Sequence, residues 1–309
     1  MGRYVARRLL QMIPVFIGST LLIFLMMYAL PGDPVRALMG DQAFDPTVVA
    51  SIRHDLGLDL PIWQQYVNYL GGLFQGDFGT EIASQRPVAD IIAEAFPVTI
   101  RLTLFAFTFT VLVGIGLGIV AGLRPDSVRD RGLLTLTLVL ISMPSFVLGY
   151  LMQYIFAFQL QITTPTVQDS ENIGDLFLPA VVLGSLSLAY VARLTRTSMA
   201  ENLRADYMRT AVAKGLPRGR IVGVHLMRNS LIPVVTFLGT DIGNLMTGAI
   251  VTEGIFNVQG VGNAIFVALS RREGATVVGI ASLIVIVYLL TSLLVDLLYA
   301  VLDPRIRYA

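Results

Sequence analysis

LTLFAFTFTVLVGIGLGIVAGL, from Leu102 to Leu123, runs for 22 residues without a charge between Arg101 and Arg124. About 20 apolar residues cross a hydrocarbon core of ~30 Å as a helix, and a helix satisfies its own backbone where no water can. Outward from this stretch the pattern repeats. Leu9 to Gly32 precedes it; Gly132 to Gln168, Leu176 to Ala192, Leu231 to Ile255 and Gly274 to Val295 follow. The Gly132–Gln168 run exceeds one span and reads as a helix over about 133–158 with a loop behind it. With 55% hydrophobic and 14% charged residues and a mean hydropathy of +0.72, the chain lacks the roughly one-quarter charge of a soluble domain. These features predict an all-α integral membrane protein with six transmembrane helices. They divide it into 1–32 (N-terminus and first helix), 33–97 (a loop domain), 98–302 (a five-helix core that includes the loop 193–230) and 303–309 (a tail).

Arg3, Arg7 and Arg8 precede the first run. At 24 uncharged residues, with no small-x-small cleavage site, that run reads as a retained span rather than a signal peptide. A cytoplasmic N-terminus and six alternating helices place sixteen basic residues inside and six outside, the bias the positive-inside rule expects. Both termini are then cytoplasmic. The outer piece 33–97, with turn signals at Gly32-Asp33-Pro34 and Gly76-Asp77-Phe78-Gly79, reads as a small helical lid. The inner piece 193–230 is the most basic of the chain.

Several function classes drop out. The one lysine, Lys214, precedes Gly215 rather than Ser or Thr, so no standard P-loop is present. Two histidines, His54 and His225, and no cysteine leave no paired zinc motif or thiolate site. No Gly-x-Ser-x-Gly elbow occurs, and a net charge of +1 gives no case for nucleic acid. No catalytic residue, metal or cofactor is expected in this chain.

Residues 199–214 read as one short amphipathic helix that Gly215 and Pro217 terminate. Rich in arginine, with the small residues Ala211 and Ala213, it fits a groove on a partner protein or a bed of anionic lipid headgroups. Asp241 is costly inside a span. Thr236, Thr240, Asn244, Gly248 and Thr252 recur every fourth residue and form a slowly drifting polar or small stripe, with Asp241 beside its middle. The stripe reads as a translocation path in which Asp241 attracts a cationic amino group; a hydrogen bond at a subunit interface is the alternative. Glu253 reads as a gate residue or a boundary charge. Gly114, Gly118 and Gly122 repeat every fourth residue, as do Gly239 and Gly243, the spacing of close helix contact within the chain or with a second one. Pro144 predicts a kink in the third helix.

The inner loop resembles the coupling motif of ABC-importer permeases, in which a Glu-Ala-Ala, a following glycine and a later proline build a helix against the ATPase. Arg209, Thr210, Ala211 and Gly215 occupy those positions, with Pro233 at the end, and the resemblance implies a coupling role for these residues and for Lys214. An arginine in place of the glutamate and the longer spacing to the proline are similar to the peptide and nickel branch. So are Tyr4 to Arg8, Leu30 to Pro34, Leu56 to Pro61 with Gln65-Tyr66, Gly76 to Gly79, Ser142 to Phe146 and Leu302 to Tyr308. Gln259-Gly260-Val261-Gly262 stands where that branch has Pro-Gly-x-Gly, with Gly260 and Gly262 expected to keep the turn of an outer gate beside Glu253.

The resemblance implies a type I ABC importer permease, a B-type subunit moving di- or oligopeptides. Its partners are a homologous C-type permease, two ABC ATPases that hold ATP and magnesium, an extracytoplasmic peptide-binding protein and membrane lipid. A nickel importer is the alternative within the family. A self-sufficient secondary transporter would show inverted repeats and broken helices, and the sequence pattern shows neither.

Overall fold

The structure is a computed structural model and describes residues 2–29, 46–55 and 57–302. Among these, regular structure is helical apart from one antiparallel bridge between Thr80 and Pro87. The helices are α1 (Gly2–Ala29), α2 (Pro46–Asp55), α3 (Ile62–Leu73), α4 (Val88–Gly122), α5 (Val128–Ser142), α6 (Ser145–Gln159) and α7 (Phe177–Leu203). They continue with α8 (Asp206–Ala213), α9 (residues 218–230), α10 (Ile232–Phe256), α11 (Val261–Ser270) and α12 (Gly274–Leu302). Five of them (α1, α4, α7, α10 and α12) are long and apolar enough to cross a membrane, and α5 with α6 makes a sixth if that bent pair is one span. The turn expected at Leu30 to Pro34 and the tail 303–309 lie outside the described residues.

Three sequence expectations change. The kink at Pro144 is a break: α5 and α6 meet at 108°. Met143 is extended at φ −97°, ψ 128°, as the residue before a proline prefers, so the chain does contain a broken helix. The single helix over 199–214 is two. The α7 helix runs on to Leu203 because Thr195, Ser198 and Met199 are buried; Ala205 then turns extended and α8 starts at Asp206. The α4 helix begins at Val88, well inside the segment read as an outer loop.

Two compact units make up the chain. In the unit of residues 100–258, α4 and α7 approach closely through the glycine stripe. A Cβ on Gly118 would sit 2.5 Å from Thr195 Cβ and 2.7 Å from the Ala192 carbonyl oxygen, and one on Gly122 would sit 2.7 Å from Met199 Cβ. The partner of that stripe is therefore a helix of the same chain. Asp130 at the start of α5 is bound by Arg196 of α7 through Nε to Oδ1 at 2.7 Å and Nη2 to Oδ2 at 2.5 Å. The Asp126 amide donates to the same carboxylate at 2.8 Å, and Ser127 caps α5 by accepting from the Asp130 amide.

The other unit comprises residues 1–99 and 259–309. Here α1 and α12 pack together, joined by Arg8 to Asp296 at 3.0 Å. Val88, Ile92, Ala95, Val261 and Ile280 form its apolar core. The Glu273 side chain, 2% exposed, accepts from the amides of Ile82 and Ala83 at 3.0 and 2.9 Å and so pins the turn ahead of α4. Phe78 lies so close to α12 that a Cβ on Gly279 would sit 2.3 Å from its carbonyl oxygen.

Candidate functional site

A helix of eight residues, α8, decides the inner loop. On α8, Met208 and Ala211 turn inward and join Met199, Ile221 and Leu226 in one apolar cluster, rimmed by Leu203 and Leu216. Burial of that face holds a helix too short to be stable alone. The opposite face carries Arg209, whose side chain is 79% exposed, with Thr210, Val212 and Lys214 also exposed. Gly215 adopts φ +69°. In that left-handed residue the amide bonds back to Val212 at 2.9 Å while Leu216 reaches Ala211, closing the helix as a glycine cap does. Arg204, Arg218, Arg220 and Arg228 are exposed around it. The result is a firmly seated helix whose outer face sets Val212 among basic side chains, with the exposed Asp206 3.9 Å from Arg209.

Of the residues read as coupling residues, the structure brings Arg209, Thr210, Ala211, Lys214 and Gly215 together on α8 and its cap. Pro233 stands apart, in the first turn of α10, where its missing amide costs nothing. Ala211 faces the core rather than the surface, so its small size serves the packing of α8.

The α10 stripe separates in two. Thr236, Thr240, Asn244 and Gly248 are exposed along one side of the helix, while Thr252 is buried at its end. Thr240 back-bonds to the Phe237 carbonyl at 2.8 Å. Asp241 points elsewhere: it is 2% exposed and accepts from the Ser187 hydroxyl of α7 at 2.8 Å. Its second oxygen, Oδ2, has no hydrogen-bond partner among the described residues. The polar stripe is thus open along this chain's flank, and the carboxylate is locked in the α7–α10 seam.

Glu253 is fully buried near the end of α10. Its carbonyl accepts from Val258 at 3.0 Å, across Asn257, which takes the left-handed conformation at φ 53°. Gly260 and Gly262 are buried, and neither is left-handed; Gly260 is extended, at φ −104° and ψ −179°, ahead of α11. The turn expected of those glycines is made by Asn257, a residue whose short amide side chain tolerates that region. Gln153 of α6 secures the end of α10 by donating to the carbonyls of Ile255 at 3.0 Å and Pro165 at 2.7 Å.

Sequence reasoning missed Gln153, Glu273 and the Asp130–Arg196 pair. The Ser127-x-x-Asp130 spacing marks a helix start, and nothing in it points to an arginine in α7.

Two family models cover the chain: the inner membrane component of binding-protein-dependent transport systems over residues 114–308, and the N-terminal part of such membrane components over residues 1–103. Relatives align end to end. A di/tripeptide transport system permease of Pseudomonas aeruginosa is 38% identical, with 99% of this chain and 98% of that protein covered. The dipeptide transport system permease of Escherichia coli K12 is 37% identical over 100% and 99%. The glutathione transport system permease of the same strain is 39% identical over 100% of both. These are transport subunits rather than enzymes, working with ATPases and a substrate-binding protein. Six apolar runs, helical structure throughout the described residues and two family matches spanning both halves lead to one assignment: this chain belongs to the inner-membrane components of binding-protein-dependent transport systems, with the type I ABC importer permease fold.

Proposed function

We propose that this permease forms, with a homologous second permease, the translocation path for di- and tripeptides in an ATP-driven importer. The observation that carries the substrate class is the end-to-end similarity to permeases named for dipeptides, di/tripeptides and glutathione, a set that shares a short peptide backbone. In this reading Thr236, Thr240, Asn244 and Gly248 line the path, since a polar row exposed on a spanning helix is costly against lipid. Asp241 acts behind that row by fixing α10 on α7.

The ATPases dock on α8 around Arg209, Thr210, Lys214 and Gly215. The cationic loop 193–230 and both termini face the cytoplasm, supported by the excess of basic residues on that side. The part of segment 33–97 that precedes α4, apart from α3, faces the binding protein, and Glu253, Gly260 and Gly262 form an outer gate. ATP-driven closure of the ATPases pushes α8, and α8 passes the motion to α7 and α9 through the Met208–Ala211 cluster.

The test is uptake by the co-purified complex in vesicles supplied with its binding protein. ATP-dependent accumulation of a labelled dipeptide, lowered by Arg209→Glu with the fold of this chain intact, is the expected result. Uptake by this chain alone without ATP would replace the importer with a secondary transporter.

A further inference from the structure

Segment 60–76 reads LPIWQQYVNYLGGLFQG and carries no charge between Asp59 and Asp77. One face of its helix, α3, is joined to two spanning helices. The Tyr66 hydroxyl donates to the Ile17 carbonyl of α1 at 3.0 Å and lies 3.0 Å from the Thr20 hydroxyl, which is itself fully buried. Tyr69 donates to Ser282 of α12 at 2.8 Å, and Phe24 packs on both tyrosine rings at 5.5 and 5.9 Å.

These contacts are deep. Ser282 lies about 12 Å along α12 from Gly274, at ~1.5 Å per residue, and half a hydrocarbon core is about 15 Å. The other face of the helix and its end are apolar and uncovered: Trp63 is 69%, Val67 56% and Phe74 80% exposed. Phe74 also meets Phe16 of α1 edge to face at 6.5 Å. That joins the open face to the exposed apolar row of α1, where Leu9, Ile13, Ile17 and Leu21 stand.

We propose that α3 is not a soluble lid but an embedded, non-spanning helix, with Trp63, Val67 and Phe74 in contact with the acyl chains of the outer leaflet. Lipid is the occupant because the face continues the lipid row of a spanning helix, at the depth of that helix's interior, on a segment without charge. An interfacial helix with a tryptophan at its polar end fits the belt in which amphipathic rings collect. Only the choice of leaflet rests on the orientation proposed above.

Trp63 is the sole tryptophan of the chain and serves as its own reporter. The assembled transporter is reconstituted in phosphatidylcholine vesicles with brominated acyl chains, and the Trp63 signal is taken as the difference between wild type and Trp63→Phe. The expected result is loss of Trp63 emission to the brominated chains and none to aqueous iodide. Quenching by iodide alone would place the helix in water, and indifference to both would place it under a partner protein; either overturns the proposal. If Trp63→Phe fails to assemble, Val67→Cys gives this cysteine-free chain one thiol for a nitroxide. Collision with oxygen in preference to a water-soluble nickel chelate is then the matching result, and the reverse preference the overturning one.

Discussion

Asp130 and Arg196 meet as a two-bond fork that ties the first turn of α5 to α7, with the aspartate 1% and the arginine 20% exposed at their side chains. Removing one member of such a pair leaves a buried charge without its counterpart. Asp130→Ala should cost about 3 kcal/mol, toward the low end for a buried pair because the arginine retains some access to water. Arg196→Lys should also lose stability, since an ammonium cannot supply the fork. Thermal unfolding in detergent measures both; equal midpoints for wild type and Asp130→Ala would refute the assignment.

The glycines of α4 should divide sharply. Gly118→Ala and Gly122→Ala place a methyl against Thr195 and Met199 and should destabilise by roughly 1–3 kcal/mol, the usual cost of overpacking. At Gly116 nothing lies within 4 Å, so Gly116→Ala should be neutral or gain up to about 1 kcal/mol of helix propensity. The same unfolding measurement separates the two classes.

Asp241 and the α10 stripe should respond differently. Asp241→Ala removes the acceptor of the Ser187 hydroxyl and should cost about 1–3 kcal/mol; in a double-mutant cycle with Ser187→Ala the two losses should not add. Asn244→Leu and Thr240→Leu, at exposed positions, should leave unfolding unchanged and lower peptide uptake. Unimpaired uptake in both would remove the stripe from the path.

On the inner loop, position decides the outcome. Arg209→Glu should leave the fold intact and weaken docking by about tenfold or more, as reversal of a charge worth at least ~1.4 kcal/mol would do. Ala211→Asp places a carboxylate in the Met199–Met208–Leu226 cluster and should unseat α8 altogether. Pull-down of the ATPases, paired with limited proteolysis of the loop, tells loss of the surface from loss of the helix.

The membrane class and the rough places of five spans, α1, α4, α7, α10 and α12, were legible in the sequence, because length and apolarity are local properties; the start of α4 at Val88 and the break at Pro144 were not. The glycine cap at Gly215 was legible for the same reason. Pairings were not. That Gly118 meets Thr195, that Asp130 meets Arg196, and that Asp241 turns from the stripe toward Ser187 depend on which helices become neighbours. A period of 3.6 assigns residues to faces without saying what each face touches. The split of 199–214 into two helices has the same origin: burial of Met199 carries α7 past the point where the charge pattern changes. Most plainly, an uncharged segment at 60–76 was too short to count as a span. Only the tyrosine bonds to Ile17, Thr20 and Ser282 reveal that it lies against the interiors of two helices that are.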